Sequence, residues 1–436
     1  MNIAGTGFGS LAFADNEDIT SLDLYAPVSR NVSYKAGHTR SIAPISQSDP
    51  YIFNFPSIPG SYISFPSLRL FVEGKVVKSD GTEIEETGIS VCDNLVSSLF
   101  QSCLVEIGGR KCVELSSENF NFKHYIESTL TFGQDAMRTH LQAGLKCPDQ
   151  AGKYDDFAGT SVQRRARWIE KSRTFQGFTF LASDFMSCEK LLPSTHRLTV
   201  RLNRARDDFV LHTDSSVRDD LKIIISDIKL YVRYIDVRPS IVQSHIKQFE
   251  KDTQKYPIVR SELKAFSQPA GPTSINIHNC FEGPLPKSVL LLITETDRFT
   301  GVRTKNPYYF PNFSLNFASL MVNSERVPLD PYCPDFENNK YFREYISLFD
   351  SLGIQHENCG HQITPQLYKN GFAAISFSLS PDSCYHAHLH EGLTGNMGLE
   401  LKFDNAPTSA FTVLLFATFD VLLTLDNKGE TKAHYL

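Results

Sequence analysis

Three pairs of short amphipathic segments recur in the same order, each at an offset of about 200 residues, and this repetition limits what the chain can fold into. Arg197–Asn203 (RLTVRLN) matches Gly398–Asp404 (GLELKFD), with three apolar residues alternating with polar ones in both. Ser226–Val232 (SDIKLYV) matches Ala417–Leu423 (ATFDVLL), and Ser98–Val105 matches Ser314–Met321. Strict alternation sends successive side chains to opposite faces of a strand, so one face is buried and the other meets solvent. Two such sheets packed face to face bury their inner rows. The expectation is therefore an all-β chain with helical insertions, built from two tandem β-sandwiches. Each copy would hold ~170–190 residues, which suits an eight-stranded jelly roll.

Length agrees. A single core rarely grows beyond ~250–300 residues, and this chain has 436. Phe 32 and Tyr 17 against Trp 1 favour strands. The net charge of −6 argues against a protein held on nucleic acid by its phosphates, so no specific nucleic-acid recognition is expected. The nine cysteines are odd in number and form no Cys-x-x-Cys pair: Cys92, Cys103, Cys112, Cys147, Cys188, Cys280, Cys333, Cys359 and Cys384. They read as free, mostly buried thiols of a reducing compartment. Met1–Phe13 lacks the basic start and apolar run of a secretory signal. Phe411–Leu425 is the most apolar stretch, but it is shorter than the ~20 residues of a spanning helix and contains Asp420. It reads as a buried strand, so no membrane span and synthesis in the cytosol are expected.

Residues 1–48 are polar and lack periodicity, and read as an N-terminal arm. Strand patterns then run over 49–238, with turn chemistry at Asp80-Gly81 and Gly108-Gly109. Phe122, Tyr125, Ile126 and Leu130, then Met137, Leu141 and Leu145, change to helical spacing within 119–145. Residues 239–256 read as a connecting helix, with Ser240 and Gln243 as a capping box and Pro257 as its stop. A second strand-rich unit covers 257–428, with a helix near 338–349, and 429–436 reads as a polar tail.

Few residues suggest chemistry. His386, His388 and His390, with Cys384, share one face of a strand pattern and could ligate a metal. Same-face residues on a flat strand diverge, however, and no further ligand is evident, so a solvated or interface histidine cluster is the preferred reading. Gln163–Trp168, with Lys171 and Arg173, is the densest basic run. It fits either a phosphate or acidic-neighbour contact, or a solvated loop with local salt bridges; the second is preferred. Gly5, Gly7 and Gly9 lack the trailing Lys-Ser/Thr of a phosphate loop. Asp155-Asp156 and Glu85-Glu86 read as loop charge. No residue is assigned a catalytic, cofactor or metal role.

Collinear stretches over about residues 60–427 resemble the double jelly-roll major capsid proteins of Polinton/Maverick elements and adintoviruses. These are Phe122–Glu127 with Phe132-Gly133, Asp149–Gly152, Lys255–Ile258, Asn279–Pro286, Asn306-Pro307, Pro328 to Pro331, Tyr345–Phe349, Leu379–Asp382, and Gly392 with Gly398–Leu401. The resemblance implies a structural protein without catalysis or cofactor. It implies homotrimers of pseudo-hexameric outline that tile an icosahedral shell with neighbouring capsomers and a vertex (penton) protein. The helical insertions at 119–145 and 338–349 would then form an outer tower or intersubunit contacts. Two other classes remain open: a metal-dependent bicupin-like enzyme using His386, His388 and His390, and a carbohydrate- or receptor-binding sandwich.

Overall fold

A computed structural model describes residues 34–45, 48–85, 87–108, 113–182, 184–188, 190–194, 196–217, 220–380, 392–426 and 430–435. The first half supplies eight principal strands: β1 (Tyr34–Ile42), β2 (Tyr51–Asn54), β3 (Ser61–Lys78), β4 (Phe100–Gly108), β5 (Val113–Glu118), β6 (Phe175–Phe180), β7 (Arg197–Arg204) and β8 (Leu221–Val237). The second half repeats them: β9 (Gln254–Gln268), β10 (Ser274–Pro284), β11 (Ser288–Glu295), β12 (Leu315–Val322), β13 (Glu325–Tyr332), β14 (Ala374–Ser378), β15 (Thr394–Phe403) and β16 (Phe411–Leu425). Sheet order is β1-β8-β3-β6 and β2-β7-β4-β5 in the first half. It is β9-β16-β11-β14 and β10-β15-β12-β13 in the second. Every strand of one half thus has a counterpart eight places later, in both chain order and sheet order. All these pairings are antiparallel. The fold is a double jelly roll.

The recurring segments fall where the alternation places them. Arg197–Asn203 lies in β7 and Gly398–Phe403 in β15, each beside the strand that carries its partner motif, β4 or β12. β8 alternates between covered and open positions from Ile228 onward. β16 is buried on both faces for most of its length, which explains its continuous apolar run. Most buried apolar side chains of both sandwiches form one contiguous core, from Ile42 to Leu425, and Tyr62, Leu191 and Val237 form a small separate cluster. Five of the cysteines (92, 103, 147, 188 and 280) are buried free thiols, and Cys333 and Cys359 are exposed.

Four helices matter below: α1 (Phe120–Thr131), α2 (Thr160–Ile169), α3 (Pro239–Phe249) and α4 (Phe342–Leu352). Several expectations need correction. Within the expected arm, Tyr34–Ile42 forms edge strand β1 on β8. An edge strand with an open face needs no apolar alternation, so its sequence carried no strand signal. Within the expected tail, Thr431–Tyr435 forms β17, which pairs with Val421–Leu425 of β16 beyond the reach of β11. Helix α3 starts at Pro239 with Arg238 as N-cap and makes no side-chain cap. Ser240 sits inside the first turn, so the capping box does not form. Pro257 does not stop this helix, which ends at Phe249; it lies in edge strand β9 opposite Leu422, where a missing N–H is tolerated.

Candidate functional site

Helix α1 does not form an outer tower. Ten of its twelve residues are buried, because it is wedged between the two sandwiches. Its aromatic face meets the segment that follows β11. Tyr125 stacks flat on Tyr308 with centroids 4.0 Å apart. Phe122 packs on Phe299 at 5.3 Å and on Tyr308 at 5.6 Å. Tyr308 is fully buried, and its hydroxyl pairs with Ser98 Oγ at 2.6 Å. Aromatic rings at these spacings add ~0.5–1.5 kcal/mol per pair beyond area burial.

A buried polar network crosses the same seam. Arg165, on α2, is wholly buried. It donates from Nε to the Val91 carbonyl (2.8 Å), from Nη1 to the Cys147 carbonyl (2.7 Å) and from Nη2 to Asp149 Oδ1 (2.7 Å). Burial opposes its charge, but Asp149 and Asp93 outweigh burial and raise its pKa. The other Asp149 oxygen accepts from Asn306 Nδ2 at 2.7 Å, which reaches across from the second sandwich. Asn306 is fully buried; its Oδ1 accepts from the Tyr308 amide (3.0 Å) and its own amide donates to Asp155 Oδ1 (2.7 Å). Arg298 clamps Asp155 through both oxygens, at 3.0 and 2.7 Å. His212 Nε2 lies 3.5 Å from the same carboxylate. Burial alone would raise Asp155, but the His212 and Arg298 contacts and the Asn306 amide hold it well below the usual carboxylate range.

A second cluster joins α1 to β9. Lys123 Nζ donates to Asp184, to Ser117 Oγ (3.2 Å) and to the Ser261 carbonyl (3.2 Å), and Glu127 Oε1 lies 3.9 Å away. Asp184 in turn accepts from the Ser261 amide at 3.1 Å. Burial works against the Lys123 charge, but Asp184 and Glu127 raise its pKa overall. Burial pushes Glu127 up to about 7, with Lys123 opposing and Asp184 adding. Beyond α1, Gln362 donates to the Ser128 carbonyl (2.9 Å), and the Gly152 amide donates to the Asn370 carbonyl (2.7 Å). Gly371 presses so closely on Tyr154 that a Cβ there would collide with the ring. Buried ion pairs stabilise little relative to apolar packing; Arg165–Asp149 and Lys123–Asp184 lie within the first sandwich, whereas Arg298–Asp155 and the hydrogen bonds of Asn306 and Ser261 cross to the second.

The basic run 163–168 is therefore not a solvated loop. It forms α2, and Arg165 is among the most deeply buried cations of the chain. Val162, Arg165 and Ile169 stand at helical spacing on its covered face, a periodicity that would have revealed Arg165 in the sequence. Asp155 stays in a loop but is the anchor of Arg298. Lys123 and Asn306 lie in stretches that carry the resemblance but had no role of their own there, and neither composition nor motif marked Asp184 or Tyr308. His386, His388, His390 and Cys384 lie outside the described residues, as do Gly5, Gly7 and Gly9. Among the described residues, no group of three or more His, Cys, Asp or Glu side chains is placed to hold a metal ion. No described helix is long and apolar enough to cross a membrane.

Two jelly rolls in tandem, locked by one seam, define a double jelly-roll protein. No protein-family profile matches the sequence. The chain is 20% identical over 339 residues to the uncharacterized protein F54H12.2 of Caenorhabditis elegans, covering 77% of this chain and 79% of that one. In fold it is similar to a chain of the Sputnik virophage, with a TM-score of 0.60, 12% identity, and 92% and 89% of the two chains covered. It is also similar to the Faustovirus major capsid protein (TM-score 0.56, 9% identity, 90% and 91% covered). The mavirus major capsid protein gives a TM-score of 0.53, at 11% identity over 94% and 93% of the chains. The chain shares its double jelly-roll fold with the mavirus and Faustovirus major capsid proteins.

Proposed function

We propose that the chain is a major capsid protein of the kind carried by Polinton/Maverick elements and adintoviruses. It forms homotrimers of pseudo-hexameric outline, which tile an icosahedral shell with neighbouring capsomers and a vertex (penton) protein. Its place is the virion capsid, after synthesis in the host cytosol. It has no catalytic role and no cofactor. The domain division follows the sequence reading, 49–238 and 257–428 joined by 239–256, except that β1 and β17 widen the two sandwiches and β9 takes residues 254–256 from the connection.

The observation that supports this best is the seam. Residues that carry the family resemblance, namely Phe122, Tyr125, Asp149, Gly152 and Asn306, sit together there. They bridge the two sandwiches, which suits a shell tile built from both. The experiment is the mass of the purified protein by light scattering, with electron microscopy of the same sample. A trimer with a hexagonal outline, or shells, is expected. A monomer or dimer that carries stoichiometric metal, lost on replacing His386 and His388, would overturn the reading in favour of the enzyme alternative.

A further inference from the structure

An amine and a carboxyl meet in the dry interior of the first sandwich. Lys123 Nζ is in direct contact with Asp184 Oδ1, and each side chain is only 1% exposed. Lys123 stands in the first turn of α1, where its neighbour Phe122 packs on Phe299. Asp184 opens a short turn, Asp184–Ser187, whose Phe185 is wholly buried and packs on Phe65 at 4.4 Å. Both backbones are therefore anchored, and the two groups are held as reactants of an intramolecular reaction, whose effective concentration is far above any attained in solution.

The groups around the pair supply the rest of a bond-forming site. Lys123 Nζ donates to Ser117 Oγ and to the Ser261 carbonyl, both at 3.2 Å, as well as to Asp184. These three bonds use all three N–H groups of the ammonium. When the proton shared with Asp184 passes to the carboxylate, the lone pair left on Nζ faces that same carboxyl. The Ser261 amide donates to Asp184 Oδ1 at 3.1 Å, where it stabilises the negative charge that builds on oxygen during attack. Glu127, one turn further along α1, brings Oε1 to 3.9 Å from Nζ. Burial pushes its carboxyl up to about 7, so near neutral pH it can both give and take a proton. Asp184 and Glu127 keep Lys123 charged in the resting pair, so the reactive neutral pair is a minor form. One event per chain is enough, because the dry surroundings protect the product from hydrolysis. Condensation also replaces two buried charges by one neutral amide, which removes their desolvation cost.

We propose that Lys123 and Asp184 condense into an intramolecular isopeptide bond, with Glu127 as the proton relay. The ammonium gives one proton to the Asp184 carboxylate, and the neutral amine attacks Cγ. Glu127 hands its proton to the departing hydroxyl and takes the surplus proton left on Nζ. The Nζ–Cγ bond forms, one Cγ–O bond breaks and one water leaves. No oxidant, reductant or cofactor is consumed, and one cation and one anion disappear together. Glu127, with its side chain 13% exposed, marks the side from which water can leave. The bond is a single self-modification, not turnover. It ties α1 to the Asp184–Ser187 turn, the two elements that hold Ser261 of β9, and so fixes the first sandwich's side of the seam.

The test is mass spectrometry of the full-length wild-type chain, purified folded, then denatured and digested with trypsin. The expected chain is lighter by one water than its sequence requires, with the peptides of Lys123 and Asp184 joined and no cleavage after Lys123. Glu127→Gln keeps the size of the side chain. With cooperative melting retained, it is expected to show the full mass and to be cut at Lys123. A folded wild type that is cut at Lys123 and yields the two peptides separately overturns the inference, whether or not the variant folds. A loss of water without joined peptides does the same. Joined peptides in equal yield in wild type and Glu127→Gln would overturn the role given to Glu127. None of these outcomes depends on assembly, so the capsid reading stands or falls separately.

Discussion

Replacing Asn306 by Asp changes one buried NH2 group into an oxygen and probes the seam at its centre. In the native chain, Asn306 Nδ2 lies 2.7 Å from Asp149 Oδ2. Two carboxylates at that separation would repel by about 6 kcal/mol at an effective dielectric of ~20. The site escapes most of this by taking up a proton, since a neutral carboxyl can donate the hydrogen bond that Asn306 now makes. The penalty is then the cost of holding that proton. An unfolded Asp releases it near pH ~3.9, and each unit above this costs about 1.4 kcal/mol. The expected loss for Asn306→Asp is about 1.5 kcal/mol at pH 5, about 3 at pH 6 and about 4 at pH 7. The sign follows from linkage: the folded variant binds one more proton than the unfolded chain, so its stability falls as pH rises. Urea unfolding of variant and wild type at these three pH values reads the difference directly. A difference that does not vary with pH, or one below about 1 kcal/mol at pH 7, would refute the claim that Asn306 and Asp149 face each other in a dry seam.

Other consequences can be measured in the same way. Burial holds His124 down to about 3 and His361 to about 4; the unfolded chain protonates them from pH ~6.5 downward, so their stability contribution is lost as pH falls, by about 5 kcal/mol together between pH 7 and 4.5. Glu127, raised to about 7, acts in the opposite sense: stability drains away between pH ~4.5 and 7 as the unfolded chain ionises first, and Glu127→Gln should remove a pH-dependent loss of about 3 kcal/mol. Arg165→Met should cost about 3–5 kcal/mol by stranding Asp149, whereas the exposed Arg164→Met should cost under about 0.5; equal effects would mean that α2 is a solvated helix after all. Gly371→Ala forces a methyl against Tyr154 and should lower stability by about 1–3 kcal/mol, read from the denaturation midpoint.

What the sequence determined by itself was the repeated architecture. Period-two alternation in Arg197–Asn203, Gly398–Phe403 and Ser226–Val232 depends only on which face of each strand is buried, so it is written locally and can be read locally. The order of the three matched segments then implied two copies, and sheet order agrees strand by strand. Strand β1 escaped notice because an edge strand with an open face is free of that constraint. Only the tertiary structure decided the seam. Lys123 and Asp184 are 61 residues apart, and Asp149 and Asn306 are 157 apart. A buried charge is tolerable only beside its partner, and nothing in the local sequence names a partner so distant. The same holds for α1, whose helical spacing was legible while its burial was not: a helix with one apolar face and polar residues on the others can crown a tower or fill a seam, and which it does depends on the second sandwich arriving to cover it.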